Sequence, residues 1–371
     1  MKKILHINSD YLYTDIYKLM FKELKFGTKN QTVYSALRKS EINYSAPSDH
    51  FSAILSPILN KSDSLFFNKR INKSYNNLKL ETDCENFDLV HAHFLFTDGA
   101  VALRIFEEYK IPYIVAIRNT DLNLYYKYFF HLRKLGQKIL LNAEKIIVIS
   151  PSYKDKITEY LSSEKNILNS KLVLIPNGID DFWLMNKSIP KINPKTNELK
   201  FLFVGEITKN KNLKQTINLL EQLSKYYNIK FTIIGKKLDG YAQLSELAKK
   251  YSWIDIFEPI YNKIELKRIY RDHDIFIMLS KKETFGLVYI EALTQGTPII
   301  YTKNEGVDGY FSDSHVGYNF DIKINNFFYF KEKVELIMKN YNQISSNCIL
   351  DSKKFNWKQI AKRYLAIYNS I

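Results

Sequence analysis

Two carboxylates, Glu283 and Glu291, stand eight positions apart in the stretch from Asp274 to Thr302, DIFIMLSKKETFGLVYIEALTQGTPIIYT. The pattern reads as a buried-type strand, a polar turn, a short helix and a second strand, with Glu283 in the turn and Glu291 in the helix. At roughly 1.5 Å of rise per residue the two acids stand about 12 Å apart, the reach of a nucleotide sugar. Between them lie Thr284, Phe285, Gly286 and Leu287. The N–H groups that open a helix have no partner within it, and the aligned peptide dipoles favour an anion there. A diphosphate suits that helix start, with Glu283 accepting hydrogen bonds from the sugar hydroxyls and Glu291 from the ribose.

An E-x7-E spacing alone describes any surface helix with two solvated glutamates. Here the flanks match as well: Ser280 to Pro298 resembles S-x-x-E-T-F-G-L-V-x-x-E-A-L-x-x-G-T-P, the signature of retaining glycosyltransferases of family 4. The resemblance implies the α/β GT-B fold, two doubly wound Rossmann-like domains facing a central cleft. It further implies transfer of a sugar, with retention, from a nucleotide-sugar donor to an acceptor hydroxyl, without cofactor or metal. UDP is expected ahead of GDP as the donor nucleotide.

Ligands of open α/β sheets bind beyond the carboxyl ends of the strands, so residues that follow apolar runs are the remaining candidates. Gly205 is followed by Glu206-Ile-Thr-Lys-Asn-Lys211-Asn-Leu, which resembles the family's G-R-L-x-x-x-K-N/G-L, whose arginine and lysine clamp the donor diphosphate. Lys211 stands at the lysine position, where a point charge would stabilise the leaving nucleoside diphosphate. Glu206 stands at the arginine position, and a carboxylate there would repel the group it should neutralise. It is expected to turn away towards a lysine, or to leave the task to Lys209 or the other domain. Gly235, closing KFTIIG, is similar to the family glycine that admits close backbone approach near the nucleotide.

In the first half, His91 and His93 share a strand face by the period of two. No carboxylate or cysteine is spaced to complete a metal site with them. His93 resembles the second His of the family's V-H-x-H, which makes it a candidate for catalysis beside the reading as a core histidine. Arg118-Asn-Thr-Asp121 is similar to an R-G-T-D variant of a donor-contacting segment, so Arg118 is a candidate for the positive charge missing at Glu206. The Gly-Gly loop that many family members carry near the start is absent, Ser9, Asp10 and Tyr11 following HIN. Asn304 to Phe311, NEGVDGYF, resembles the family's G-I-D-G-Y/F-F loop, its glycines reading mainly as turn formers.

Positioning these residues requires strands, and apolar runs of βαβ rhythm supply them at 2–8, 30–36, 88–94, 112–118, 144–150 and 171–177, then at 200–205, 230–235, 253–259, 274–279 and 297–302. Two series imply two sheets, joined at Ile175-Pro-Asn-Gly-Ile-Asp180. Residues 1–180 are read as the acceptor-side domain and 181–354 as the nucleotide-sugar domain. An apolar stripe in 355–371, at Phe355, Ile360, Tyr364, Ile367 and Ile371, reads as a helix. In the GT-B fold that helix returns to the first domain. Glu41 to Glu85 shows no strand period and reads as a helical excursion.

A length of 371 residues suits two domains rather than one core. No run approaches the roughly 18 apolar residues of a transmembrane helix, and polar His6, Asn8 and Asp10 break any signal-peptide core, so a cytoplasmic protein is expected. Cys84 and Cys348, far apart, read as reduced thiols. A net charge of +15 points to an anionic partner or to a merely lysine-rich surface. No finger or RNP motif supports nucleic acid. Leu124 to Ala143 interleaves aromatic and basic residues, which reads first as a crossover helix on the sheet and second as a peripheral contact with anionic membrane. The acceptor expected is a glycan or lipid-linked glycan of bacterial surface polysaccharide synthesis. A sugar-nucleotide epimerase or hydrolase of the same fold and a noncatalytic nucleotide-sugar binder are the alternatives.

Overall fold

The computed structural model describes residues 1–41, 51–160, 165–192 and 198–371. The chain forms two compact units, the first made of residues 1–149, 153–178 and 357–371, the second of 150–152 and 179–356. In the first, seven parallel strands are β1 (Lys3–Ile7), β2 (Asn30–Arg38), β3 (Ser52–Leu59), β4 (Leu89–Ala92), β5 (Tyr113–Ile117), β6 (Lys145–Val148) and β7 (Leu172–Leu174). In the second, six are β8 (Glu198–Val204), β9 (Asn228–Ile234), β10 (Ile254–Phe257), β11 (Ile275–Met278), β12 (Ile299–Thr302) and β13 (Gly317–Phe320).

The orders are β3-β2-β1-β4-β5-β6-β7 and β10-β9-β8-β11-β12-β13. Each sheet therefore reverses its winding once, between β1 and β4 and between β8 and β11, and such a reversal leaves a crevice at the carboxyl ends of the strands. This is the two-domain α/β layout of the GT-B fold. The central strands are apolar without alternation: every residue of β4, β5, β11 and β12 is buried, as helices on both faces require.

In the first unit, Ile71, Tyr75 and Leu78 of the helix Phe67–Glu81, Leu103 and Ile105 of Thr97–Tyr109, and Ile139 and Leu140 of Arg133–Asn142 build one core layer. The opposite layer joins Tyr17, Met20, Phe21 and Leu24 of Asp15–Leu24 to Trp357, Ile360, Tyr364 and Tyr368 of Trp357–Ser370. The terminal helix thus belongs to the first unit and begins two residues later than its sequence stripe. Phe355 lies before it, in the second unit, and Tyr368 takes a buried place in the stripe.

Three sequence expectations change. The excursion at 41–85 contains an edge strand, β3, as well as the helix Phe67–Glu81; residues 42–50 of it lie outside the described residues. Pro57 hides that strand from a pattern search, and an edge is where a sheet tolerates proline. The strand β13, GYNF, is too short and polar to announce itself, and its Gly317 is required because an added Cβ would lie 1.9 Å from the Ile299 carbonyl oxygen. The segment 124–143 is broken, with a π-turn ending at Tyr126, a 3₁₀ turn at Phe130–Leu132 and only then the helix Arg133–Asn142.

The Pro-Asn-Gly joint has a packing function. A Cβ on Gly178 would lie 2.4 to 2.7 Å from the indole of Trp357, so the terminal helix seats on bare backbone. A rigid, buried indole cannot yield as a flexible side-chain end could. Gly178→Ala is expected to lower unfolding stability by about 1–3 kcal/mol through overpacking. An unchanged urea midpoint would show that Trp357 moves freely and that the contact does not hold the helix.

Candidate functional site

The reversal between β8 and β11 brings together the loop that leaves β8, Gly205 to Asn212, and the loop that leaves β11, Leu279 to Gly286. Gly205 and Gly235 end adjacent strands in close contact. The Gly205 N–H donates to the Ile234 carbonyl at 2.9 Å, and a Cβ on Gly235 would fall 1.7 Å from the Gly205 carbonyl oxygen. Glycine at 235 is therefore a condition for the two strand ends to run side by side, which fixes where the following loop starts.

Lys211 and Glu283 meet across these loops, Nζ to Oε2 at 2.7 Å, both partly sheltered from solvent. Around them the backbone is held from several directions. The Asn210 side chain accepts from the Lys282 N–H at 3.1 Å and donates to the Lys282 carbonyl at 2.8 Å, while the Asn210 carbonyl accepts from the Lys281 N–H at 2.8 Å. Buried Glu305 accepts from the Glu283 N–H at 2.9 Å and binds Lys282 Nζ at 3.4 Å, and the Gly306 N–H donates to the Glu283 carbonyl at 2.7 Å. The 304–311 loop is thus a clamp on the Glu283 backbone. Its Gly306 has φ +58°, and a Cβ there would press on Glu283 Cγ at 3.0 Å.

The helix after Glu283 is Leu287–Thr294, so the first helical N–H groups belong to Leu287 and Val288, and the rise per residue does not apply to Glu283–Gly286. Thr284 and Phe285 lead into it through a bend, the Thr284 N–H donating to Glu283 Oε1 at 3.2 Å and Phe285 buried between Tyr310 and Phe355. Gly286 turns the chain into the helix at φ +79°, where a Cβ would strike the Tyr289 ring at 2.6 Å. One turn along the helix, Glu291 Oε2 accepts from Tyr270 Oη at 2.9 Å. Burial pushes the Glu291 carboxyl up to about 7, against the downward pull of Tyr270 and Lys263. Tyr270 lies in no motif, and Asn210 and Glu305 lie in motif stretches at positions to which those motifs assign no role; the fold shows their contacts.

Glu206 is exposed, forms no ion pair among the described residues, and leaves Lys211 as the cation nearest Glu283. Lys209 is exposed, its N–H donating to Asp239 at 3.2 Å.

In the first unit Arg118 and His93 are core groups. Arg118 is 7% exposed, donates to Asn177 Oδ1 at 3.1 Å and to the His93 carbonyl at 3.4 Å, and lies over the Tyr17 ring. His93 has no exposed surface and meets His6 Nδ1 through Nε2 at 3.2 Å. Because β1 pairs with β4 with His6 beside His91, three imidazoles converge, one ring nitrogen of each within 4.8 Å of the others. His6 is the third member that spacing along the chain could not reveal. Burial depresses all three, His6 to about 3, so they are neutral and could offer lone pairs to an ion. Against that, the Arg118 charge bears on His91 and His93, and Tyr368 Oη occupies His91 Nδ1 at 2.7 Å.

The family described as Glycosyl transferases group 1 matches residues 185–354, and Glycosyltransferase Family 4 matches residues 45–181. The alpha-monoglucosyldiacylglycerol synthase of Acholeplasma laidlawii is 23% identical over 329 residues, 82% of this chain and 79% of that protein. Among solved structures, a sucrose-phosphate synthase from Thermosynechococcus elongatus superposes with a TM-score of 0.78 at 16% identity, covering 100% of this chain and 99% of the other. The Anabaena protein HepE, in its complex with UDP-glucose, gives 0.69 at 14% identity with both chains covered completely. The first match takes in the whole second sheet with the E-x7-E loop and helix, and the second takes in β3 to β7. The chain therefore belongs to the family 4, group 1 glycosyltransferases of GT-B fold, and is a transferase enzyme.

Proposed function

We propose that the protein transfers a sugar, with retention, from a nucleotide-sugar donor, UDP-linked ahead of GDP-linked, to a hydroxyl of a glycan or lipid-linked glycan in bacterial surface polysaccharide synthesis. The observation that carries this reading is the Lys211–Glu283 pair at the start of the helix that bears Glu291. In this scheme the diphosphate lies on the N–H groups of Leu287 and Val288 beside the Lys211 ammonium, which has three protons and gives one to Glu283. Glu283 takes sugar hydroxyls and Glu291 ribose hydroxyls. As the anomeric C–O bond breaks, its electron pair goes to the diphosphate, which the lysine and helix start stabilise without a metal. The acceptor oxygen bonds to the anomeric carbon on the same face and its proton passes to the departing phosphate oxygen. Support for a UDP donor comes from HepE, crystallised with UDP-glucose. Support for a lipid-linked acceptor comes from the A. laidlawii relative, named for a glucosylated diacylglycerol.

The scheme includes a cytoplasmic protein that touches the anionic inner face of the membrane. Among the described residues no helix is long and apolar enough to cross it. The broken segment in the first unit exposes Leu124, Tyr128 and Phe130, with Lys127 over the Tyr128 ring and Arg133 over the Phe130 ring. Its inward residues Leu122, Leu132, Ile139 and Leu140 are core, so packing on the sheet and a wet aromatic-basic rim coexist.

Lys211→Ala is expected to lower kcat by about 100-fold or more with a UDP-sugar donor. Loss below about threefold would remove the lysine from the diphosphate, and NMR of the product showing an inverted anomeric centre would remove retention. Glu291 gives a pH signature. Protonation removes an acceptor for the ribose, so UDP-glucose affinity should weaken as pH falls through about 7, while the donor's phosphates stay ionised. Calorimetry on Glu291→Gln should show weak binding without that dependence; an identical pH profile in the variant would contradict the assignment. Liposomes rich in phosphatidylglycerol should float the protein at low salt and release it at high salt, and failure to float at low salt would dismiss the membrane contact.

A further inference from the structure

The Glu291 carboxyl does not choose its own orientation. Tyr270, in the helix Lys263–Asp272, donates its phenol proton across to the helix Leu287–Thr294, reaching Glu291 Oε2 at 2.9 Å. Glu291 Oε1 has no hydrogen-bond partner among the described residues, and the residue keeps part of its surface open. Protein occupies one oxygen and leaves the other.

The phenol that makes this bond is itself immobile. Tyr270 has no exposed surface, and its ring meets Trp183 edge-on at 5.6 Å between centroids and Phe276 at 5.8 Å. Its backbone is tied as well. The Tyr270 carbonyl accepts from Thr297 Oγ1 at 2.6 Å and from Lys191 Nζ at 3.1 Å, and the same Nζ donates to the His273 carbonyl at 2.6 Å and to Thr297 Oγ1 at 2.7 Å. Carbonyls at the end of a helix have no partners within it, so a lysine that spans two of them locks the last turn, the one that carries Tyr270. Burial holds the phenol well above its ordinary range, which keeps the proton on Oη and makes it a donor only.

A glutamate side chain ordered in advance spares a ligand the entropy of ordering it. Lys263 also bears on Glu291, but its ammonium is paired with Asp180 Oδ2 at 2.6 Å, and a point charge fixes no direction. The directional bond is the one from Tyr270, strengthened because its acceptor is a carboxylate. An acceptor aimed in advance at a hydroxyl rejects an analogue without that hydroxyl, because it is then left unpaired.

We propose that Tyr270 is a positioning residue for nucleotide recognition: by fixing Glu291 Oε2 it presents Oε1 to a ribose hydroxyl, and so makes the protein select ribonucleotides over deoxyribonucleotides. Tyr270 acts through Glu291 rather than on the donor, and its role rests on the assignment of Glu291 to the ribose.

Calorimetry on the whole chain with UDP, GDP and the 2′-deoxy and 3′-deoxy forms of each tests this. The wild type should bind one ribonucleotide about tenfold or more tighter than at least one of its deoxy forms, and Glu291→Gln should bring that ratio below about threefold. Tyr270→Phe keeps the ring between Trp183 and Phe276 and removes one oxygen. It should cut the ratio by about threefold or more through weaker binding of the ribonucleotide, the deoxy form staying within about twofold of its wild-type affinity. A merely loosened helix would weaken both ligands alike and leave the ratio as it was. An unchanged ratio in Tyr270→Phe, where Glu291→Gln has lost it, would overturn the role of Tyr270 and leave Glu291 on the ribose. No binding of UDP or GDP to the wild type, no preference for the ribonucleotide, or a preference that survives Glu291→Gln would remove the ribose assignment, and the role of Tyr270 with it.

Discussion

A 2.7 Å contact between Lys211 and Glu283 joins the two loops that leave β8 and β11. The rest of the site is arranged so that this contact can exist. Gly205 and Gly235 let two strand ends lie side by side, Asn210 ties its own loop to the backbone of Lys281 and Lys282, and Glu305 and Gly306 hold Glu283 from the far side. The two ions are partly sheltered, so their attraction is screened less than that of a surface pair, and both side chains are pre-oriented at the mouth of a helix. Preorganisation of that kind is what a site needs if its charge must act on a leaving diphosphate without rearranging first.

Much of this was legible in the sequence, for a physical reason. Strands covered on both faces have to be largely apolar, so the runs at β1, β2 and β4 to β12 stand out from their surroundings even with His6 and His91 among them. β3 and β13 do not, because proline at an edge and a short glycine-led strand obey local constraints that a pattern of hydrophobicity does not encode. The same division holds in the site. Glu283, Glu291 and Lys211 are marked by motif register, whereas nothing in the sequence marks the roles of Asn210, Tyr270 and Glu305, whose partners lie between 21 and 72 positions away. His6 is an intermediate case. Its place beside His91 follows from the β1–β4 pairing, which the strand order implies but the spacing of two histidines does not.

The departure at Glu206 has a structural answer of limited scope. The residue is exposed and makes no ion pair among the described residues, so water screens the repulsion expected from a carboxylate at an arginine position. Arg118 is committed to Asn177, the His93 carbonyl and the Tyr17 ring, holding the carboxyl-end loops of the first unit together. In the proposed scheme the diphosphate would then rest on one lysine and one helix start, a lean arrangement in which each part carries more of the binding.

That dependence makes donor binding the decisive observation. A thermal-shift series with UDP-glucose, UDP-galactose, UDP-N-acetylglucosamine and GDP-mannose reads it directly, because a ligand that binds only the folded chain raises the melting temperature. The account predicts that at least one nucleotide sugar, a UDP sugar ahead of GDP-mannose, raises the melting temperature of the protein and that Lys211→Ala loses most of that rise. No rise with any of the four, or an undiminished rise in the variant, would contradict it.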